Sequence, residues 1–157
     1  MPAPTQQAVT EDEIDALFRF AATRLDLLPG FEQRPAQTAM ARAVARTIAM
    51  SGHLLAEAGT GTGKSLAYLL PSLLHALRND DRVVVSTHTL NLQEQLALHD
   101  LPRASAVVEA FAGAEPGTLR SAVLKGRSNY LCLERWAEVR ANGRARNRSE
   151  ARLHARI

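Results

Sequence analysis

One glycine-rich segment constrains the fold more than any other part of the sequence. It occupies residues 58–65 and reads Ala58, Gly59, Thr60, Gly61, Thr62, Gly63, Lys64 and Ser65. A short apolar run at residues 53–56 precedes it, and residues 66–70 have the apolar character of a helix. A strand, a glycine-rich turn, a Lys-Ser pair and a helix follow one another in this order in phosphate-binding P-loops. The segment therefore predicts an α/β fold in which flanking helices cover a parallel sheet.

The chemistry of residues 58–65 suits a nucleoside triphosphate. Glycines let the backbone turn so that several N–H groups approach phosphate oxygens, and the following helix adds the positive end of its dipole. Lys64 supplies a mobile charge for the outer phosphates, and the Ser65 hydroxyl can bind Mg²⁺. We predict ATP and Mg²⁺ as ligands, with Lys64 and Ser65 as catalytic residues. Ala58 replaces the usual first glycine, and a chance glycine-rich loop is the alternative.

Composition limits the class of protein. A chain of 157 residues with 46% hydrophobic content is long and apolar enough for one domain with a core. No apolar run approaches the roughly 20 residues that cross a bilayer, and the N-terminus lacks the pattern of a signal peptide. The single cysteine, Cys132, excludes an internal disulfide. We expect a cytoplasmic protein.

Charge is distributed unevenly along the chain. Residues 1–119 contain 9 Lys or Arg and 13 Asp or Glu, whereas residues 120–157 contain 10 and 3. A basic end on a nucleotide-binding domain predicts a polyanionic partner, most simply DNA or RNA. The alternative is a solvated arginine-rich helix with no partner.

Three amphipathic helices are predicted in the first half. Thr10 and Glu13 have the spacing of a capping box, and the helix they open has an apolar face of Ile14, Leu17, Phe18, Ala21 and Leu25. Pro35 suits the first turn of the second helix, with an apolar face of Ala36, Met40, Ala43, Val44 and Ile48. The third helix follows residues 58–65, and Pro71 is expected to kink it or end it near Leu70.

The rest of the chain continues the alternation of strand and helix. The β-branched run at residues 82–87 predicts a buried parallel strand, residues 90–99 predict a helix, and residues 122–124 predict a third strand. Residues 101–117 contain two prolines and two glycines, and they predict only a short apolar or helical piece. Further helices are predicted at residues 131–139 and 144–157.

A candidate adenine site precedes the glycine-rich segment. Gln37 follows Pro35 at a predicted helix start, where its amide can accept a hydrogen bond from adenine N6 and donate one to N7. Phe31 can lie against the base, and Arg34 is adjacent. Taken alone, Gln37 is equally consistent with a surface residue of an amphipathic helix.

The segment at residues 86–96 follows the second predicted strand, at the sheet edge where open α/β sheets bind ligands. Its hydroxyl and amide side chains suit a phosphate backbone. We predict nucleic-acid contacts by Thr87, His88, Thr89, Asn91 and Gln93. For the threonines the alternative is strand-end hydrogen bonding and helix capping.

A basic and aromatic turn occupies residues 125–132. Arg127 and Tyr130 stand on either side of Ser128 and Asn129, as expected of a single-strand contact. Cys132 follows, and a lone cysteine in an apolar helix is usually a core residue. An iron–sulfur cluster requires four thiolates, and the sequence has one.

Together, Gln37, residues 58–65, residues 86–96 and residues 125–132 resemble, in the same order, the DinG/XPD-type (Rad3-like) iron–sulfur DNA helicases. The resemblance covers about residues 31–136. It implies a RecA-like first motor domain, adenine reading by Gln37 and Arg34, and contact of residues 87–93 with single-stranded DNA. It also implies ATP-driven 5′ to 3′ unwinding, and a 4Fe–4S cluster of which Cys132 would be the first ligand.

Other features depart from the family pattern. No apolar strand followed by an Asp-Glu-Ala-His sequence comes after residue 65, so the usual Mg²⁺-binding carboxylate is missing. We therefore expect an N-terminal fragment that binds ATP weakly and hydrolyses little. We divide it into a disordered leader (1–9), N-terminal helices with the glutamine motif (10–52), a partial motor domain (53–125) and the start of an iron–sulfur insertion (126–157). The alternatives are a DEAD-box-like RNA helicase, a nucleic-acid-binding module with a vestigial P-loop, and, less well supported, a P-loop kinase.

Overall fold

The computed structural model describes residues 6–59 and 61–141. The predicted helix at residues 144–157, most of the predicted leader and Thr60 lie outside these ranges. The chain divides after Ser121 into two units. The first is helical: α1 (Glu11–Thr23), α2 (Pro35–Ala49), α3 (Lys64–Asn79), α4 (Leu90–Gln95), a π turn (Leu96–Asp100) and α5 (Leu101–Ala112). In the second, a 3₁₀ turn (Arg127–Asn129) precedes α6 (Leu133–Ala141).

Helix α1 begins as the sequence predicts. The Glu13 N–H donates to the Thr10 hydroxyl at 3.2 Å, and the Thr10 N–H donates to the Glu13 carboxylate at 2.8 Å, completing the capping box. Four of the five predicted apolar residues are buried: Ile14, Leu17, Phe18 and Ala21. The prediction for Leu25 was wrong, because α1 ends at Thr23 and Leu25 is 53% exposed.

Helix α2 starts at Pro35 but buries a different face from the one predicted. Ala41 and Ala45 are buried beside Gln37 and Thr38, whereas the five predicted apolar residues are half-buried or exposed. Residues four apart share one face of a helix, and the small side chains of Ala41 and Ala45 allow close packing on α1 and α3. The close approach of α2 to α1 and α3, and not the hydrophobicity of its side chains, therefore determines which face of α2 is buried.

Helix α3 contradicts one of the two expectations for Pro71, namely that the helix ends near Leu70. The helix continues through Pro71 and ends at Asn79. Proline in a helix interior costs about 3 kcal/mol, but burial of a leucine contributes about 1.5–3 kcal/mol. Leu69, Leu70 and Leu74 are all buried around Pro71. The summed burial outweighs the missing hydrogen bond, so the helix is not interrupted.

Ion pairs attach α1 to its neighbours. Asp15 pairs with Arg42 of α2 at 2.6 Å, Glu11 pairs with Arg46 of α2 at 2.8 Å, and Glu13 pairs with Arg78 of α3 at 2.6 Å. The Arg42 guanidinium lowers the pKa of Asp15. Together with the apolar core between the helices, these pairs fix α2 and α3 relative to each other.

Residues 101–117 form more structure than the sequence predicts. Helix α5 buries Ala104, Val107 and Val108 against the other helices of the unit. The buried Glu109 carboxylate then accepts hydrogen bonds from the N–H groups of Gly117 at 3.1 Å and Leu119 at 2.7 Å. These bonds hold the segment after α5 against the helix.

The predicted parallel sheet is not formed in the described residues. The segments expected as strands, at residues 53–56, 82–87 and 122–124, contain no strand within the part of the chain that the structure describes. Leu55 is fully exposed, Val84 is 90% exposed and Leu124 is 85% exposed. A strand is stabilised by neighbours on both its edges and its faces, and these side chains have no such cover. The helices, whose hydrogen bonds are local, form without it.

Candidate nucleotide-binding site

The glycine-rich segment has the backbone of an anion-binding turn. Gly61 and Gly63 have φ angles of +76° and +78°, in the left-handed region, with Thr62 between them. Such alternation points successive N–H groups toward one concavity. Helix α3 begins at Lys64, so its first N–H groups have no intrahelical acceptor. The described part of the loop can therefore present several donors to a phosphate.

Several carbonyl groups of the same segment accept hydrogen bonds from side chains. The Lys64 ammonium donates to the carbonyls of Ala58 at 2.6 Å and Gly59 at 2.9 Å, and the Thr62 hydroxyl donates to Gly59 at 2.9 Å. The Arg34 guanidinium donates to the Gly61 carbonyl. These three carbonyls already have donors, whereas the first N–H groups of α3 have no intrahelical acceptor and can meet a ligand.

Gln37 joins α2 to the glycine-rich segment. Its Nε2 donates to the Gly63 carbonyl at 2.9 Å, which fixes the orientation of the amide. The side chain is 4% exposed, and its Oε1 is the buried side-chain oxygen that has no partner in the described residues. A buried acceptor without a donor is costly, so Oε1 would gain a hydrogen bond if the side chain turned toward a ligand amino group.

A cavity of about 230 Å³ adjoins Gln37. One wall is apolar and includes Phe31, whose ring lies 6.2 Å from the Phe18 ring between centroids. Gly61, Thr62 and Gly63 form a second wall. The structure thus brings together three predicted nucleotide-binding residues and part of the glycine-rich segment: Phe31, Arg34, Gln37 and Gly61–Gly63.

Ser65 lies one turn from Tyr68 on α3. Burial raises the pKa of the Tyr68 phenol, a hydrogen bond with the Ser65 side chain lowers it, and the Asp100 carboxylate raises it. The Ser65 hydroxyl, the predicted Mg²⁺ ligand, is therefore hydrogen-bonded to the Tyr68 phenol. Among the described residues no group of three His, Cys, Asp or Glu side chains could hold a metal ion.

Seven lining residues of the cavity were not predicted from the sequence as site residues: Leu28, Pro29, Gly30, Glu32, Leu66, Asp100 and Arg103. Leu28 and Leu66 have no polar or reactive group that would mark them in the sequence as ligand-binding residues. Asp100 directly precedes residues 101–117 and Arg103 lies within them, and for this range the sequence predicted only a short apolar or helical piece. A charged pair three residues apart was the one available signal, and it fits a solvated helix surface equally well.

The predicted DNA-contacting residues of the first unit are at the start of α4. Thr89 caps this helix by accepting from the Leu92 N–H at 3.3 Å, and the Thr87 hydroxyl donates to the Thr89 carbonyl at 3.3 Å. Both threonines therefore have the local role that was their alternative. His88 and Asn91 are exposed, and Gln93 is half-buried.

The predicted DNA-contacting residues of the second unit form a small turn. The Lys125 N–H donates to the Tyr130 hydroxyl oxygen at 2.8 Å, which positions a ring that is 51% exposed. Arg127 is exposed in the 3₁₀ turn, and Cys132 is an exposed free thiol rather than a core residue.

Comparison with known proteins defines the class of protein to which the chain belongs. The DEAD/DEAH box helicase family model matches residues 34–133, which include Gln37, the glycine-rich segment and residues 86–96. The chain belongs to the DEAD/DEAH box helicase family. No solved structure matches it.

Individual relatives show which members of the helicase family the chain resembles. The chain is 49% identical over 106 residues to the ATP-dependent helicase DinG of Mycobacterium tuberculosis, covering 68% of this chain and 16% of that protein. It is 41% identical over 133 residues to the ATP-dependent DNA helicase YoaA of Haemophilus influenzae, covering 85% and 19%. It is 40% identical over 114 residues to the 3'-5' exonuclease DinG of Bacillus subtilis, covering 73% and 12%. The chain thus spans less than a fifth of each of these relatives. The prediction of a DinG-like relationship is confirmed.

Proposed function

We propose that this chain is the ATP-binding part of a DinG-like ATP-dependent DNA helicase. The observation that carries the proposal is the arrangement of Gln37, whose amide is anchored on Gly63 while its Oε1 is buried without a partner. An acceptor held beside a glycine-rich phosphate loop matches a nucleotide whose base and phosphates bind in one cavity. The names of the relatives support DNA helicase activity for the whole protein.

The base is read by Gln37 and Phe31. Oε1 accepts a hydrogen bond from the adenine N6 amino group, and the second Nε2 hydrogen donates to N7. The apolar wall with Phe31 covers the face of the base. A guanine presents an oxygen where adenine has the amino group, so Oε1 disfavours it.

The phosphates are bound by the N–H groups of the loop and by Lys64. The Lys64 ammonium leaves the carbonyls of Ala58 and Gly59, and phosphate oxygens take their place as its partners. Mg²⁺ would neutralise charge at the outer phosphates, and Ser65 would provide a hydroxyl ligand for it. In the complete helicase, ATP turnover drives single-strand translocation, with 5′ to 3′ polarity as the DinG/XPD resemblance implies, in the cytoplasm.

Residues 53–56 and 82–87 become strands of the parallel sheet when the full motor domain covers them. Their exposed apolar side chains support this assignment, because Leu55 and Val84 gain burial on pairing. Hydrogen exchange at the amides of residues 83–85 tests it. Protection in the complete protein and fast exchange in this chain are the expected results, and equally fast exchange in both would exclude the strand.

Nucleic acid binds through residues 87–93 and the turn with Arg127 and Tyr130. The side chains are polar, basic and aromatic, which suits single strands without sequence selectivity. Cys132 contributes one thiolate to an iron–sulfur cluster in the complete helicase. The described residues of this chain do not fit such a cluster alone, since Cys132 is the one cysteine of the sequence.

Titration of the chain with a fluorescent ATP analogue tests the proposal. Lys64→Ala removes a charged hydrogen-bond donor worth about 1.5–3 kcal/mol, so affinity falls roughly tenfold or more. Arg120→Ala, at an exposed cation outside the cavity, leaves affinity unchanged. Equal affinity of the Lys64→Ala variant and the unsubstituted chain would refute the phosphate assignment. DNA binding that is indifferent to ATP would instead favour a nucleic-acid-binding module, and preference for RNA over DNA would favour an RNA helicase.

A further inference from the structure

The nucleotide cavity has a charged wall that belongs to neither the glutamine motif nor the glycine-rich segment. Asp100, the last residue of the π turn, and Arg103, in the first turn of α5, line the same cavity as Gly61–Gly63. Both residues were outside every motif in the sequence. They belong to a helical stretch that starts at Leu90 and runs without interruption to Ala112.

The wide turn between α4 and α5 explains how Arg103 reaches the cavity. The Leu101 N–H donates to the Leu96 carbonyl, a bond spanning five residues instead of four. Pro102 has no N–H, and its ring clashes with the carbonyl four residues earlier, so the preceding turn opens. Such π turns are often found at functional sites because they redirect side chains. Here the turn changes the angular position of Arg103 relative to α4.

Arg103 is available for a ligand. Within the part of the chain that the structure describes, its guanidinium has no hydrogen-bond or ion-pair partner, and the residue is exposed. Arg34, the other arginine of the cavity, already donates to the Gly61 carbonyl. Asp100 is half-buried and accepts a long hydrogen bond from Gln95 at 3.4 Å. Arg103 is therefore the uncommitted cation of the cavity.

The chemistry of this wall matches an anionic ligand. A guanidinium presents donors in a planar fork that binds two phosphate oxygens together. The Asp100 carboxylate repels phosphate, so the anionic group is directed toward Arg103 and the glycine N–H groups. Gln37, with its buried unpartnered oxygen, holds the neutral part of the same ligand. We propose that Arg103 binds a phosphate of the nucleotide held by residues 58–65. This proposal rests on the proposed function and adds a phosphate ligand from α5.

Calorimetric titration of the chain with ATP and with adenosine tests the assignment. Arg103→Ala should weaken ATP binding about tenfold, in line with a charged hydrogen bond, while adenosine affinity stays unchanged. Arg103→Lys should recover part of the loss, since it keeps the charge but not the fork. Arg120→Ala is the control for removal of an exposed arginine. Circular dichroism establishes that each variant is folded.

The outcomes separate this inference from the proposed function. If Arg103→Ala binds ATP normally while Lys64→Ala does not, the role of Arg103 is refuted and the nucleotide site stands. If Arg103→Ala weakens ATP and adenosine equally, Arg103 supports the cavity without touching phosphate, and the inference is again refuted. If Lys64→Ala also binds normally, the nucleotide site itself is wrong.

Discussion

Gln37 and Gly63 are in such close contact that a Cβ at residue 63 would displace the Gln37 amide. The Gln37 Nε2 lies 2.9 Å from the Gly63 carbonyl oxygen, and a Cβ built on Gly63 would lie 2.1 Å from the same nitrogen. The contact joins the start of α2 to the residue before α3. A change at either residue therefore alters both the Gln37 amide and the glycine-rich segment.

Gly63→Ala should impair both stability and ATP binding. A left-handed φ of +78° costs a residue with a Cβ about 1–2 kcal/mol, and the contact with Gln37 adds to this cost. Gly61→Ala is the matched control, because Gly61 has a φ of +76° and nothing within 4 Å of the added Cβ. Thermal unfolding should thus show a larger loss for Gly63→Ala. Equal losses would mean that the contact with Gln37 is unimportant.

Acid should weaken the attachment of α1 to α3. Hydrogen bonds from Arg78 are the main reason that the pKa of Glu13 is lowered from 4.5 to about 2. A lowered pKa stabilises the fold above the unfolded value, and the contribution is lost as the pH falls from about 4.5 toward 2. Because both side chains are partly exposed, solvent screening limits the contribution to about 1 kcal/mol.

Urea unfolding between pH 7 and pH 2 measures this contribution. Glu13→Gln should lower stability at pH 7 and reduce its dependence on pH below 4.5. Glu11→Gln, which removes the exposed pair with Arg46, is the control and should have a smaller effect. A pH dependence unchanged by Glu13→Gln would contradict the assignment.

Burial of α1 can be tested with two leucines. Leu17 is fully buried and Leu25 is 53% exposed. Leu17→Ala should reduce the free energy of unfolding by about 2–5 kcal/mol, and Leu25→Ala by about 0.5 kcal/mol or less. Chemical denaturation measures both, and similar losses would mean that α1 does not pack as described.

Tyr130 should contribute to single-strand DNA binding through its ring. Loss of one base–aromatic stack costs about 1–3 kcal/mol, so Tyr130→Ala should weaken binding of an oligothymidine at least several-fold. Tyr130→Phe keeps the ring and removes only the hydrogen bond from the Lys125 N–H. Fluorescence anisotropy should give near-normal binding for Tyr130→Phe. A loss as large as that of Tyr130→Ala would assign the effect to the turn and not to stacking.

Local signals in the sequence were sufficient for the parts of the fold that depend on neighbouring residues. The Thr10–Glu13 capping box and the start of α2 at Pro35 were predicted because caps and proline act within one turn. The glycine-rich segment was found as a candidate because its pattern is specific, and Gln37 because it precedes that segment at a predicted helix start. The structure places Gln37 and Gly61–Gly63 on the walls of one cavity.

Predictions that depended on distant residues were less successful. The continuation of α3 through Pro71 and the choice of Ala41 and Ala45 as the buried face of α2 are set by packing between helices. Arg103 could not be recognised because its approach to the cavity depends on the geometry of the turn before it. The predicted strands require neighbouring strands and covering helices, and a local sequence pattern does not show whether these are present.

Because of the π turn at Leu96–Asp100, the side of the helix on which Arg103 lies depends on the number of residues before it as well as on their identity. Successive residues of an α-helix are rotated by roughly 100° about the helix axis. The π turn contains one residue more than an α-helical turn. Removing one residue between Leu96 and Leu101 would rotate Arg103 away from Gly61–Gly63 while leaving every side chain of α4 in place. If Arg103 has the proposed role, homologues that lack this residue would need a cation at another position along α5.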